Sequence, residues 1–254
     1  MTGDDDSGGG PVKGYFRRIR SDYQESVERE AIADVHRRIR EVVEPALQGA
    51  VLDLGSGGVT EYRTGRIEFL ISMDNVLDFL RNSRNPAAAN LCGDVTAVPL
   101  RAASVDFIIM QHVLHHLTAR RYEQNVRNVL AAAAELSRIL KPGGVVFLVD
   151  SMTPPLLEKL QAWMYRLSHA ALRALDKPMV FFFSAPRLVR IFEGSGLRID
   201  RVLRIDWGNM TEASQALFPW LRFPLRRTPI KCILVAASRP QPPSPEAVET
   251  VDMT

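Results

Sequence analysis

The sequence predicts an α/β protein built on a doubly wound, mostly parallel sheet of seven strands with helices on both faces. Three observations predict it. Short apolar runs recur at 50–54, 69–73, 89–92, 105–110 and 145–149, and 197–207 and 230–237 read as two final strands. Amphipathic helical patterns alternate with them, and alternating strands and helices form parallel sheets through right-handed crossovers. The first run ends in Gly55-Ser56-Gly57-Gly58, a glycine turn of the kind that doubly wound folds place against a ligand.

Each element follows from its own pattern. Residues 15–47 carry Ile32, Val35, Ile39, Val42 and Ala46 at alternating spacings of three and four, the apolar stripe of a helix. The pattern then changes to the short apolar run 50–54, which ends in glycines as a buried parallel strand would. Similar runs follow at 69–73, 105–110 and 145–149, with a weaker one at 89–92 before Gly93. Val126, Leu130, Ala133, Leu136 and Leu140 mark the buried face of a long helix, which Lys141-Pro142-Gly143-Gly144 stops. Leu160, Trp163, Met164, Leu167, Ala171 and Leu175 give 155–175 a second amphipathic stripe. A shorter helix is expected over 186–193, before the last two strands.

A chain of 254 residues, 46% hydrophobic and 24% charged, suits a single globular domain, expected over 14–238. Segments 14–47, 152–185 and 208–228 read as cap elements on it. The acidic, glycine-rich 1–13 and the proline-rich 239–254 read as flexible tails. No apolar run reaches the roughly 18–20 residues of a membrane span, and no signal-peptide pattern opens the chain, so no stable membrane insertion is expected. Two cysteines, Cys92 and Cys232, argue against a disulfide scaffold and for a reducing, cytoplasmic setting. The net charge of +3 is mild. Basic residues cluster at Arg17, Arg18 and Arg20 and at Arg222, Arg226 and Arg227, short of the continuous stripe of a nucleic-acid protein, so no nucleic-acid partner is expected.

The chemistry begins at 51–58, Val-Leu-Asp-Leu-Gly-Ser-Gly-Gly. Without Cβ atoms this backbone turns sharply and lets a nucleoside approach at contact distance. Asp74 lies 19 positions after Gly55, at the end of the second strand, where its carboxylate can accept ribose hydroxyl protons. Asp94 follows the third strand, where a carboxylate can take the adenine amine. Each acid alone could be a cap or turn residue, but acids at successive strand ends together are harder to dismiss. A nicotinamide enzyme is the competing nucleotide reading, since Asp74 suits that ribose too.

These stretches resemble the class I S-adenosylmethionine-dependent methyltransferases, particularly the small-molecule group related to ubiquinone and menaquinone methylases. The resemblance rests on 51–58, on Met73-Asp74-Asn75, on Gly93-Asp94-Val95 with Val98-Pro99-Leu100, on 104–117, and on 140–150 with its Leu-Lys-Pro-Gly-Gly turn. It covers roughly 48–152 well and the last two strands loosely. It implies a Rossmann-like sheet with one antiparallel strand and S-adenosylmethionine as cofactor. Asp53, Gly55, Ser56 and Gly57 would face the methionine part, Asp74 and Asn75 the ribose, Asp94 and Val95 the adenine, and Gln111 the wall at the fourth strand. The chain departs from the family in two places. Val59 stands where a third glycine is common, with Gly58 one position earlier, and 59–66 is short and polar for a first helix.

The fourth strand is followed by Gln111-His112-Val113-Leu114-His115-His116, and Asp150 ends the fifth. Some sugar and natural-product O-methyltransferases of this family use a histidine pair and a nearby aspartate as base, which the resemblance implies for His115, His116 and Asp150. The same Leu-His-His-Leu stretch can simply cap or pack a helix, and His112 is a second candidate. The place of the amino-directed nucleic-acid motif is taken by Gln111-His112-Val113-Leu114, and no acidic cluster suggests a metal. Trp163, Tyr165, Phe181, Phe182, Phe183, Trp207, Phe218 and Trp220 could line a pocket for a sizeable apolar acceptor. The expected function is methyl transfer to a small molecule, with a hydroxyl acceptor and secondary metabolism as the setting. The alternative is a protein of this fold that binds the cofactor without transferring its methyl, as a cyclase-like catalyst or binding module. Acceptor and oligomeric state are open.

Overall fold

Val51, Leu52 and Leu54 are buried on both faces of one strand, which places β1 (Gly49–Leu54) at the centre of a sheet. In this computed structural model the described residues are 14, 30–58, 62–63, 65–81, 83, 88–207, 211–213, 222–224 and 227–241. The expected tail 1–13, most of the other tail, residues 15–29 of the cap expected over 14–47, and most of the cap expected over 208–228 lie outside them. Beside β1 lie β2 (Ile67–Asp74) and β4 (Val105–Gln111), both parallel to it. β3 (Ala88–Cys92) continues the sheet past β2, and β5 (Leu140–Met152) continues it past β4. On that side follow β9 (Lys231–Ser238) and β6 (Arg198–Ile205), with β9 antiparallel to both neighbours. The order β3-β2-β1-β4-β5-β9-β6 is the expected seven-stranded, Rossmann-like sheet. A separate two-stranded piece, β7 (Thr211–Ala213) and β8 (Arg222–Pro224), falls in the expected third cap.

Alternate strand residues feed two cores. Leu52, Leu54, Ile108, Met110, Val146 and Leu148 face α3 (Tyr122–Ile139) and α5 (Ala185–Gly194). Val51, Ile109, Phe147, Val149 and Leu234 face α1 (Glu30–Val43). Val35 and Ile39 of the predicted stripe are buried there, Val43 is buried in place of Val42, and Val42 and Ala46 pack at the edge of the core. The side chain of Ile32 lies outside those described.

Four local expectations change. The buried face of α3 is Val129, Ala132, Ala133, Leu136 and Ile139, whereas Leu130 is 47% exposed and Leu140 already belongs to β5. Asn125 sets that rotation: it is buried, its Oδ1 accepting from Ala119 N–H at 2.7 Å and Tyr165 O–H at 3.2 Å. β5 begins five residues before the expected 145, because the Lys141-Pro142-Gly143-Gly144 turn keeps Leu140 paired with Val105. Between β1 and β2 the described residues form only bends and turns, and Tyr62 is buried among them. A five-residue helix, α2 (Leu77–Arg81), follows β2.

The fourth change concerns α4 (Pro155–Ala174), which turns its apolar stripe outward. Leu156, Leu160, Trp163 and Leu167 are exposed, while Glu158 and Tyr165 are buried. Specific polar bonds hold this orientation. Glu158 accepts from Ser184 N–H and Arg187, and Tyr165 O–H donates to the Ala119 carbonyl at 2.7 Å. No helix among the described residues is long and apolar enough to cross a membrane.

Candidate active site at the reversal of strand order

Strand order reverses between β1 and β4, and a doubly wound sheet holds its ligand beyond the carboxyl ends of the strands there. On the β1 side the glycine turn is pulled against β2. Gly55 N–H donates to the Met73 carbonyl at 2.7 Å, and Gly57 N–H to Asp74 Oδ2 at 3.0 Å. Gly55 sits at φ 73°, and a Cβ there would stand 2.2 Å from Val113 Cγ2. Gly58, at φ 76°, would drive a Cβ to 2.3 Å from the Phe79 carbonyl oxygen. Both positions require glycine, and Gly58 ties the turn to α2 where the family pattern has its glycine one residue later.

The acids take distinct places. Asp74 is buried, with Oδ1 accepting Val76 N–H at 2.8 Å as well as the Gly57 contact on Oδ2. Asp53 is buried and accepts from Tyr62 O–H at 2.9 Å, a contact that, after burial, holds the Tyr62 phenol protonated far beyond its ordinary range. Ser56 Oγ meets Ser72 Oγ at 2.6 Å. Asp94 and Asn75 are exposed, Val95 is buried and Gln111 is half-buried. Asp94 Oδ1 accepts both Thr96 N–H and Thr96 O–H, the local turn reading of that residue. The set gathers a glycine-rich turn and carboxylates at successive strand ends, donor and acceptor chemistry that fits a nucleoside.

On the β4 side, His112 leaves the strand at φ 56°, its N–H donating to the Val149 carbonyl at 2.8 Å. A one-turn 3₁₀ helix, Leu114–His116, follows and brings His115 onto β5. His115 Nδ1 lies 2.5 Å from Asp150 Oδ1. The same oxygen accepts Ser151 N–H at 2.6 Å, while Oδ2 accepts Leu114 N–H at 2.8 Å and His115 N–H at 3.3 Å. Burial alone would raise the Asp150 pKa. The charge and hydrogen bond of His115, then His112 and the Ser151 amide, outweigh it and hold the carboxyl below its ordinary value.

The other histidines differ. Burial, with Asp150 opposing and His115 and His36 assisting, pushes His112 down to about 4. Burial and the neighbouring His115 push His116 well below its ordinary value. The His115 and His116 rings stand 4.0 Å apart between centroids, and His36 and Trp207 each lie about 6.5 Å and 6.4 Å from the His112 ring. The Phe182 ring is tilted against that of His115, with centroids 5.6 Å apart.

Of the expected pocket aromatics, Phe182 and Trp207 reach the histidines. Tyr165, Phe181 and Phe183 are core residues, Trp163 faces solvent, and Phe218 and Trp220 lie outside the described residues. Sequence reasoning missed Tyr62 and His36. Tyr62 sits in a polar connection with no periodic signal, whereas His36 adjoins Val35 on the predicted α1 stripe. His112, His115 and Asp150 each offer a ligand atom within 4.8 Å of the others, a spacing that could gather a cation. Donors already engage both Asp150 oxygens, however, so the geometry is that of a hydrogen-bonded histidine–aspartate pair.

Residues 52–148 match a methyltransferase domain family. Over 120 residues the chain is 32% identical to the biotin biosynthesis bifunctional protein BioHC of Cellvibrio japonicus, a match covering 44% of this chain and 22% of that protein. The chain spans less than half the length of the curated relatives it matches, 22% and 44%. Among solved structures it is similar to a putative methyltransferase of Haloferax volcanii in complex with the Trm112 methyltransferase activator. That likeness has a TM-score of 0.63 at 18% identity, over 91% of this chain and 98% of the other. Another similar structure is the 1,6-didemethyltoxoflavin-N1-methyltransferase of Burkholderia thailandensis, solved with S-adenosylhomocysteine. There the TM-score is 0.55 at 12% identity, over 91% and 88% of the two chains.

Proposed function

We propose that this chain, which has the class I methyltransferase fold and a methyltransferase domain over 52–148, is an S-adenosylmethionine-dependent methyltransferase that acts on a hydroxyl of a small molecule. The observation that carries the hydroxyl reading is the 2.5 Å contact between His115 Nδ1 and Asp150 Oδ1 at the ends of β4 and β5. The toxoflavin enzyme's small-molecule substrate supports the acceptor class by analogy of fold.

The cofactor supplies a methyl group activated on a sulfonium sulfur. Gly55, Ser56, Gly57 and Asp53 would border its methionine part, Asp74 and Asn75 its ribose, and Asp94 and Val95 its adenine. Asp74 orders the glycine turn from below through Gly57 N–H while keeping its carboxylate at that rim. Asp150 fixes the His115 tautomer with the proton on Nδ1, leaving Nε2 to accept the acceptor's hydroxyl proton. The resulting imidazolium is stabilised by the Asp150 charge beside it. His112 and His116, both depressed by burial, stay neutral and are weak bases, so His115 is the base of the three. The Phe182 ring, 5.6 Å from that of His115, adds an apolar wall beside the pair.

The direct test is incubation of the purified chain with S-adenosylmethionine and a panel of alcohols, phenols and amines, read by mass spectrometry. Methylation of hydroxyl acceptors supports the reading. Cofactor binding by calorimetry with no acceptor methylated would favour the alternative, a protein of this fold that binds the cofactor without transfer.

A further inference from the structure

A helix that turns its apolar stripe to solvent and its polar anchors to the core requires an occupant for that stripe. On α4 the outward residues are Leu156 at 77% exposure, Trp163 at 82%, Leu167 at 68% and Leu160 at 46%, extended by the exposed Ala171 and Ala174. They recur at helical spacing, so they form one continuous face. The opposite face is pinned by Glu158, Gln161 and Tyr165, so rolling the helix to bury the stripe would break their hydrogen bonds.

The charges along the stripe are of one sign. Lys159, Arg166 and Arg173 are exposed and fall seven residues apart, which sets them along one edge of the apolar face. The helix has a single acid, Glu158, and it is buried against Arg187 and the Ser184 amide. Arg120 lies close enough to act with Arg173 on His169, extending the positive edge towards the segment before α3. Two exposed acids border it, Asp176 just beyond the end of the helix and Glu123 in the first turn of α3, and neither lies on α4 itself. An apolar face with a central tryptophan and a basic border is complementary to an anionic bilayer surface, where a helix lies in the plane of the headgroups.

We propose that α4 docks this protein on anionic lipid membranes through Leu156, Leu160, Trp163 and Leu167, with Lys159, Arg166 and Arg173 on the headgroups. The docked face is connected to the site. Gln161, on the inward side of α4, exchanges hydrogen bonds with the Phe182 backbone at 3.3 Å, and the Phe182 ring is tilted against that of His115. Docking therefore sets Phe182 directly behind the membrane-facing helix, one helix away from the bilayer, which fits an acceptor drawn from the lipid phase. That last step rests on the proposed function, whereas the docking is tested without turnover.

The experiment is sedimentation of the full chain with vesicles of phosphatidylcholine alone and of phosphatidylcholine with phosphatidylglycerol. Partitioning is expected to rise on the order of a hundredfold with the anionic lipid and to fall with added salt. Trp163→Ser with Leu167→Ser is expected to lose about tenfold or more on both vesicles. Lys159→Gln with Arg166→Gln and Arg173→Gln is expected to keep the weak binding to phosphatidylcholine and lose the preference for phosphatidylglycerol. All of these positions are exposed, and thermal melts establish that the variants fold. Wild-type protein that stays in the supernatant with both vesicles overturns the proposal. So does lipid binding that both variants retain. A dimer in light scattering that only the serine variant dissolves, without vesicle binding by the wild type, overturns it in favour of a second copy of this chain on the stripe.

Discussion

His115 and Asp150 meet across the ends of β4 and β5, 35 residues apart in sequence and 2.5 Å apart at Nδ1 and Oδ1. Asp150→Asn keeps the shape but removes the charge that stabilises the imidazolium, and its amide nitrogen faces backbone donors at Leu114 or Ser151. Turnover is expected to fall about 10²–10⁴-fold with cofactor affinity unchanged, as read by steady-state kinetics and calorimetry. Normal turnover would remove Asp150 from the mechanism.

The three histidines of the 112–116 segment should separate. His115→Gln is expected to abolish most turnover and the acid limb of the pH–rate profile. His116→Gln should keep turnover within a few-fold, because burial already makes His116 a poor base. A profile that loses its acid limb only in the His116 variant would reverse the assignment.

Asp74 has both a structural and a binding role, so two variants are needed. Asp74→Ala removes the acceptor for Gly57 and Val76 N–H and is expected to lower the melting temperature as well as cofactor affinity. The loss of affinity should correspond to about 1.5–3 kcal/mol for the charged acceptor. Asp74→Asn should recover part of the melting temperature and less of the affinity. Equal cofactor binding in all three proteins would make Asp74 a turn residue only.

Stability should fall on mild acidification. The folded His112 titrates at about 4 against 6.5 for the ordinary group, and His116 is lowered in the same direction. Between those values the unfolded chain binds more protons, so this contribution is complete above about 6.5 and is lost as pH falls towards about 4. Each group adds a slope of up to about 1.4 kcal/mol per pH unit in that window. Thermal melts at stepped pH check this, and His112→Asn should flatten the slope. A wild-type melting temperature constant across the window would contradict the buried, neutral histidines.

Gly58→Ala should destabilise the protein by about 1–3 kcal/mol, since φ 76° disfavours a side chain and the added carbon meets the Phe79 carbonyl. Gly65, with open space around its Cβ position, is the control: Gly65→Ala should melt within a degree or two of wild type. Equal melting of the two variants would mean that the turn relaxes.

The sequence by itself determined the sheet, because strands buried on both faces read as short, mostly apolar runs and a glycine turn follows the first. Runs such as Val51–Leu54 and Val145–Val149 left no other period, and the antiparallel last pair was legible through the resemblance at 48–152. It also marked His115, His116 and Asp150 by position. Tertiary structure decided which histidine engages the acid, since that depends on a 3₁₀ turn after β4 and on the register between β4 and β5. It decided the roles of Tyr62 and His36 too, whose partners are distant in sequence or on another element. Helical periodicity locates an apolar face without saying which way it points. On α3 a buried Asn125 shifted the face by a residue, and on α4 the bonds of Glu158, Gln161 and Tyr165 turned it to solvent, because satisfying buried polar groups outweighed burying Trp163 and Leu167.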